Sequence, residues 1–206
     1  MNNFIEVYDN ALSKDECKSI IDFFDSTGRC ESSSEFLCKK DGMTAARVDK
    51  KVKDSTDVSM TFNHSNHTVN QIIMNSLASN LKKYVARHSE LKLISTWGIL
   101  DSYNIQKYEP NEGYYALHCE NSDVNTNKRV LVWMFYLNSV TDDGGTYFSN
   151  YDLTLDAVEG RLVIWPAYWT HFHQGIVSTS QEKYIATGWC EKIESSTVIR
   201  KLKKDL

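Results

Sequence analysis

Two amphipathic stretches near the start of the chain carry the helical repeat. Cys17, Ile20, Ile21 and Phe24 recur at helical spacing, and Ser13 with Glu16 fits the capping box S-x-x-E that opens a helix. These predict a first helix from Ser13 to about Thr27, with Gly28 placed to stop it. Val69, Ile73, Leu77, Leu81 and Tyr84 predict a second from about Thr68 to His88. Between them Glu35 to Ser59 shows no period and is polar, which predicts an irregular, mobile segment lying over a site as a lid.

From Leu93 the pattern shortens to β-runs. Strands are expected at Leu93–Leu100, Ser102–Tyr108, Tyr114–Glu120, Val130–Leu137, Thr146–Phe148, Arg161–Trp165, His171–Ile176 and Lys183–Cys190. Turn chemistry separates several of them, at Asn111-Glu112-Gly113, Asp142-Asp143-Gly144-Gly145 and Glu159-Gly160. Eight short strands beside a helical flank predict an α+β chain with a jelly-roll (double-stranded β-helix) core. A single domain over residues 1–206 follows: 1–92 as helical support and lid, 93–190 as the jelly roll, 191–206 as a tail.

Composition narrows the function classes. The 206 residues are enough for one substantial core. No apolar run approaches the ~20 residues of a membrane span, and MNNFIEVYDN lacks the features of a signal peptide. Cys17, Cys30, Cys38, Cys119 and Cys190 form no CxxC pair, so reduced thiols in the cytoplasm are expected. A net charge of -4 makes no electrostatic case for nucleic acid, and neither nucleic-acid nor membrane partners are expected. Short basic runs such as Lys82-Lys83 read as solvated faces.

The chemistry must come from histidines and carboxylates. With 6 histidines and 27 acidic residues, chance supplies about one His-x-acid pair. Two occur: His88-Ser89-Glu90 at a helix end, expected to be solvated, and His118-Cys119-Glu120 in an expected strand. On a strand, residues i and i+2 share a face, so His118 and Glu120 can converge on one ion. Downstream, His171 and His173 are both placed to face inward. Two imidazoles and one carboxylate make the facial triad suited to Fe(II), with three positions left open. Lys183 shares a strand face with Ile185, Thr187 and Trp189, and a lysine aimed into a barrel needs an anionic partner.

Taken together, the residues resemble the 2-oxoglutarate/Fe(II) dioxygenases of the prolyl 4-hydroxylase type, in their small microbial and viral members. The resemblance rests on Gln106-Lys107-Tyr108-Glu109-Pro110, Gly113-Tyr114, His118-Cys119-Glu120, Tyr136-Leu137-Asn138, Gly144-Gly145-Thr146, His173 and Lys183, and spans roughly residues 103–190. It implies His118, Glu120 and His173 as iron ligands, with Lys183 pairing the far carboxylate of 2-oxoglutarate. The ten-residue interval to Lys183 singles out His173 over His171. Tyr108 and Tyr136 match tyrosines that contact the co-substrate, while Trp189 matches a tryptophan expected in the core.

The implied reaction hydroxylates a C–H bond, by resemblance of a prolyl residue in a peptide or protein, and releases succinate and CO2. Fe(II), 2-oxoglutarate and O2 are the implied cofactors, and the resemblance allows ascorbate as well. Small-molecule substrates stay open, as do two other classes: a non-catalytic jelly-roll binding module and a cupin-like metalloenzyme without 2-oxoglutarate. One residue departs from the family pattern. Glu120 stands where aspartate is usual, and Asp123 is an alternative ligand.

Overall fold

A computed structural model describes residues 2–27, 30–32, 34–40, 43–62 and 68–193. The elements run β1 (Glu6–Tyr8), α1 (Lys14–Ser26), β2 (Cys30–Ser32), β3 (Ser34–Lys40), β4 (Met43–Asp49), β5 (Ser55–Thr61) and α2 (Thr68–Arg87). They continue with β6 (Trp97–Tyr108), β7 (Arg129–Tyr136), β8 (Thr146–Phe148), β9 (Leu153–Leu155), β10 (Leu162–Pro166), β11 (His173–Gly175) and β12 (Lys183–Lys192). The architecture is α+β with a jelly-roll core. A seven-stranded sheet, in the order β1-β10-β7-β12-β6-β5-β2, faces a three-stranded sheet, β11-β8-β9; β3 and β4 pair as a separate hairpin.

Both helices form for the reasons legible in the chain. Ser13 Oγ accepts from the Glu16 amide at 3.3 Å, and the Ser13 amide donates to Glu16 Oε2 at 2.8 Å. This reciprocal cap is worth about 1 kcal/mol. α1 ends at Ser26 with Thr27 extended, and Gly28 lies outside the described residues. Every apolar position expected on α2 is buried: Val69, Ile73, Leu77, Leu81 and Tyr84.

The helices cover the outer face of the large sheet. Ile20, Phe24, Ile73 and Leu77 pack with Ile105, Trp133, Phe135 and Ala186 in one core. The alternate residues Val132, Met134, Tyr136, Val163, Trp165 and Ile185 turn the other way, into a second core between the sheets. This is why β7 reads as a nearly continuous apolar run: both faces are buried. No helix among the described residues is long and apolar enough to cross a membrane.

Several expectations need correction. The span Glu35–Ser59 is not irregular: it contains β3, β4 and most of β5, the last paired to β6. Polarity misled there: β5 alternates only two apolar residues, Val58 and Met60, although both pack on the core under the helices. The two strands expected around Asp101 are one, β6, because β12 pairs along its whole length from Tyr108 to Trp97. Tyr114–Glu120 joins no sheet and bends at Ala116 and Glu120; the bridges Lys53–Tyr114 and His118–His173, with the Tyr115 and Ala116 amides on the Val52 carbonyl, tie it down. The strand expected from His171 begins at His173, since Trp169–His171 is a 3-10 turn. β9 was missed, although Leu153-Thr154-Leu155 alternates.

Candidate metal centre

His118 and His173 come from different parts of the chain but are bridged backbone to backbone. The His118 amide donates to the His173 carbonyl at 3.0 Å, and the His173 amide returns the bond at 2.8 Å. The bridge puts the imidazole centroids 4.3 Å apart. Glu120, two residues on, brings its carboxylate between them. Glu120 Oε1 lies 3.4 Å from His118 Nε2 and 3.6 Å from His173 Nε2. One ligand atom from each residue falls within a 4.8 Å span, a donor set that could hold a metal ion.

The tautomers suit that role. Nδ1 of His118 donates to the Ala116 carbonyl at 2.9 Å, and Nδ1 of His173 donates to the His171 carbonyl at 2.9 Å. Each histidine thus uses the carbonyl two residues before it, which leaves both Nε2 lone pairs facing the gap. The rings are held from the sides as well. Tyr114 stacks on His118 at 3.7 Å with 9° between planes. Trp165 and Phe148 pack against His173, at 5.1 and 5.5 Å between centroids.

Protonation favours the same set. Burial pushes the His173 imidazole below its ordinary pKa, so it is neutral at neutral pH. Burial alone would raise Glu120; protons on His118 and His173 Nε2, in the place that a bound cation would take, outweigh it and hold the carboxyl well below the usual range. Two imidazole Nε2 lone pairs and one carboxylate fit a divalent, borderline-hard cation such as Fe(II).

The triad opens onto a cavity of about 230 Å³ whose lining includes Tyr108, Tyr136, Lys183, Ile185, Thr187 and Trp189. Lys183 is buried there without a carboxylate partner among the described residues. Its Nζ donates to the Gly144 carbonyl at 2.9 Å and lies 4.9 Å from the centre of the Tyr108 ring. Burial pushes this ammonium down to about 8. Tyr136 OH and Thr146 Oγ1 share a 2.6 Å hydrogen bond, and Tyr108 OH donates to Gln106 Oε1 at 2.9 Å. The glycine turn closes this end: Gly144 has φ +71°, and a Cβ at Gly145 would collide with the Leu155 carbonyl.

Residues 103–191 match the model of the 2OG-Fe(II) oxygenase superfamily. The match covers less than half of the chain, and that span is similar to a 2OG-Fe(II) oxygenase domain. Solved prolyl hydroxylases have a similar fold. The viral collagen prolyl hydroxylase of Paramecium bursaria Chlorella virus-1, in its 2OG complex, is 18% identical, with a TM-score of 0.65 over 92% of this chain and 97% of the other. The Pseudomonas putida prolyl-4-hydroxylase is 12% identical, with a TM-score of 0.65 over 94% and 95%. A Trichoplax adhaerens prolyl hydroxylase, solved with a peptide fragment of the hypoxia inducible factor oxygen degradation domain, is 14% identical, with a TM-score of 0.67 over 93% and 84%. No curated protein matches the sequence.

Other histidines and carboxylates lie elsewhere. His171 does not face inward: its Nε2 donates to the Asn3 carbonyl at 2.8 Å, and its Nδ1 accepts from Thr170. The expected i, i+2 sharing of a face fails because His171 sits in the 3-10 turn. Asp123 is exposed, its Oδ1 accepting the Asn125 amide at 2.6 Å in a loop turn. His88 is buried rather than solvated, 3.0 Å from Glu6 Oε1 and packed against Phe4 and Tyr84.

Three residues beside the triad escaped the sequence reading. Tyr114 stands out in the sequence only within the Gly113-Tyr114 motif. Arg129 and Trp165 sit at strand ends where nothing local marks them. Trp189, expected in the core, packs half-buried against its edge and also donates its indole N–H to Glu120 Oε2 at 2.8 Å.

Proposed function

We propose that the chain hydroxylates a C–H bond of a prolyl residue in a peptide or protein, consuming 2-oxoglutarate and O2 and releasing succinate and CO2. The reading rests on one observation above all. A His-Glu-His donor set and a buried lysine without a carboxylate partner open onto the same cavity. A metal and a dicarboxylate together complete what the residues leave unfinished.

In this reading His118 Nε2, Glu120 Oε1 and His173 Nε2 hold Fe(II). Bound there with 2-oxoglutarate and O2, the iron supplies the oxidising chemistry. The chain's own work is positional. Lys183 pairs the far carboxylate of 2-oxoglutarate, and its ammonium recovers the stabilisation that burial takes from it. Tyr136 and Tyr108 hold hydroxyls beside that end of the cavity. Their pKa values are raised by burial, so both remain proton donors throughout the neutral range. Phe148, Trp165 and Tyr114 surround the imidazoles with aromatic rings and limit the water that reaches them.

The prolyl substrate is supported by the fold shared with three prolyl hydroxylases, one of them solved with a peptide. Ascorbate as an auxiliary reductant belongs to the same reading. A cytoplasmic, reducing setting is supported by the free, buried thiols of Cys17, Cys119 and Cys190. The test is succinate formation from 2-oxoglutarate with and without Fe(II), followed by proline-containing peptides as substrates. Iron-dependent succinate release that rises with such a peptide is expected. The proposal fails if no 2-oxoglutarate is bound or consumed.

A further inference from the structure

Glu120 uses its two oxygens differently. Oε1 faces the histidines, at 3.4 and 3.6 Å. Oε2 faces away and accepts two hydrogen bonds, from Trp189 Nε1 at 2.8 Å and Arg129 Nη1 at 3.0 Å. The donors form one unit, because the Arg129 guanidinium lies 3.8 Å over the centre of the Trp189 ring. Arg129 also reaches the Glu120 carbonyl at 3.3 Å, and its Nε lies 3.6 Å from Glu191 Oε1. The guanidinium is therefore braced by a ring, two carboxylates and a carbonyl.

A glutamate has one more rotatable bond than an aspartate and would otherwise sample several positions for its carboxylate. With Oε2 tied on one side, the remaining oxygen is aimed at a single point, and two-oxygen chelation is blocked. We propose that Arg129 and Trp189 are positioning residues that clamp Glu120 Oε2, make Glu120 a one-oxygen metal ligand, and tune this site to glutamate rather than aspartate. An aspartate, shorter by about one C–C bond, cannot reach the metal position and keep both contacts. This inference rests on the ligand reading of His118, Glu120 and His173 given above.

The test is a double-substitution cycle read by calorimetric Co(II) binding, the ion standing in for Fe(II), without air or 2-oxoglutarate. Trp189→Phe keeps a ring under Arg129 and removes the indole donor. It is expected to weaken Co(II) roughly 10- to 100-fold, the range for loss of a group that orients a ligand. In a Glu120→Asp background, where the clamp is already broken, the same change is expected to cost less than about threefold. Equal losses in both backgrounds, or no loss in the parent, overturn the clamp. If Trp189→Phe does not fold, Arg129→Lys serves in its place: the charge stays but the planar fork goes, and the same non-additivity is required. Glu120→Ala separates the two ideas, since unchanged Co(II) affinity there removes the ligand reading itself.

Discussion

His171 and His173 are two residues apart and serve different parts of the molecule. His173 turns its Nε2 toward Glu120, at 3.6 Å, while His171 turns its Nε2 to the Asn3 carbonyl, at 2.8 Å. The link between them is the His171 carbonyl, which accepts the Nδ1 proton of His173. His171→Ala is therefore expected to retain metal and most turnover, because the carbonyl stays; it loosens the N-terminal segment instead. His173→Ala is expected to lose both. Equal loss of iron in the two variants, measured by metal content, contradicts this.

Glu120→Ala is expected to abolish turnover and strip metal, because two imidazoles leave the dication's charge uncompensated. Asp123 cannot take over from an exposed turn held by its own backbone contacts. Normal iron content in this variant would end the three-residue assignment.

Lys183→Ala is expected to weaken 2-oxoglutarate by roughly 2–5 kcal/mol, the usual loss when one partner of a desolvated charge pair is truncated. Metal affinity in the absence of 2-oxoglutarate should hardly change. Lys183→Arg should recover part of the loss, since a fork does not fit where a point charge sat. Titration calorimetry that shows unaltered 2-oxoglutarate affinity in Lys183→Ala would remove its role.

The pH dependence of co-substrate binding follows from the same lysine. Burial lowers its pKa from 10.5 to about 8. Below pH 8 the ammonium is already charged and ready to pair. Above it, binding must draw in a proton, so affinity is expected to fall by up to about tenfold per pH unit. Folding stability carries the opposite trend. Between about 8 and 10.5 the unfolded chain binds the proton more readily, so this group's contribution to stability rises with pH in that window. Calorimetry near pH 8 in buffers of different ionisation enthalpy should register proton uptake on binding, absent in Lys183→Arg.

The β3–β4 hairpin leads into Lys53, which lines the cavity and bridges to Tyr114. If the hairpin closes over bound substrate, amide exchange across residues 34–49 slows when metal, 2-oxoglutarate and a peptide are added together. Exchange unchanged by all three would make it an ordinary surface hairpin.

The sequence by itself determined the elements whose signal is local. A capping box and a helical repeat are complete within a few residues, so α1 and α2 fall where the pattern puts them. β7, β8, β10 and β12 are marked by their own apolar runs and flanking turns. The pairing of His118 with Glu120 was also legible, because two residues of separation can bring both side chains to one side of the chain. Which histidine joins them is read from the ten-residue interval to Lys183; tertiary structure supplies the physical reason, the backbone bridge between His118 and His173 and a 3-10 turn that rotates His171 away. Tertiary structure decided that polar residues between the helices form strands: β5 finds its partner some fifty residues downstream on β6, while β3 and β4 pair with each other. The grip of Arg129 and Trp189 on Glu120 belongs to the same class. Those two residues come from the ends of neighbouring strands, β7 and β12, and their approach to one carboxylate oxygen is set by sheet register, a long-range property that no local stretch of sequence carries.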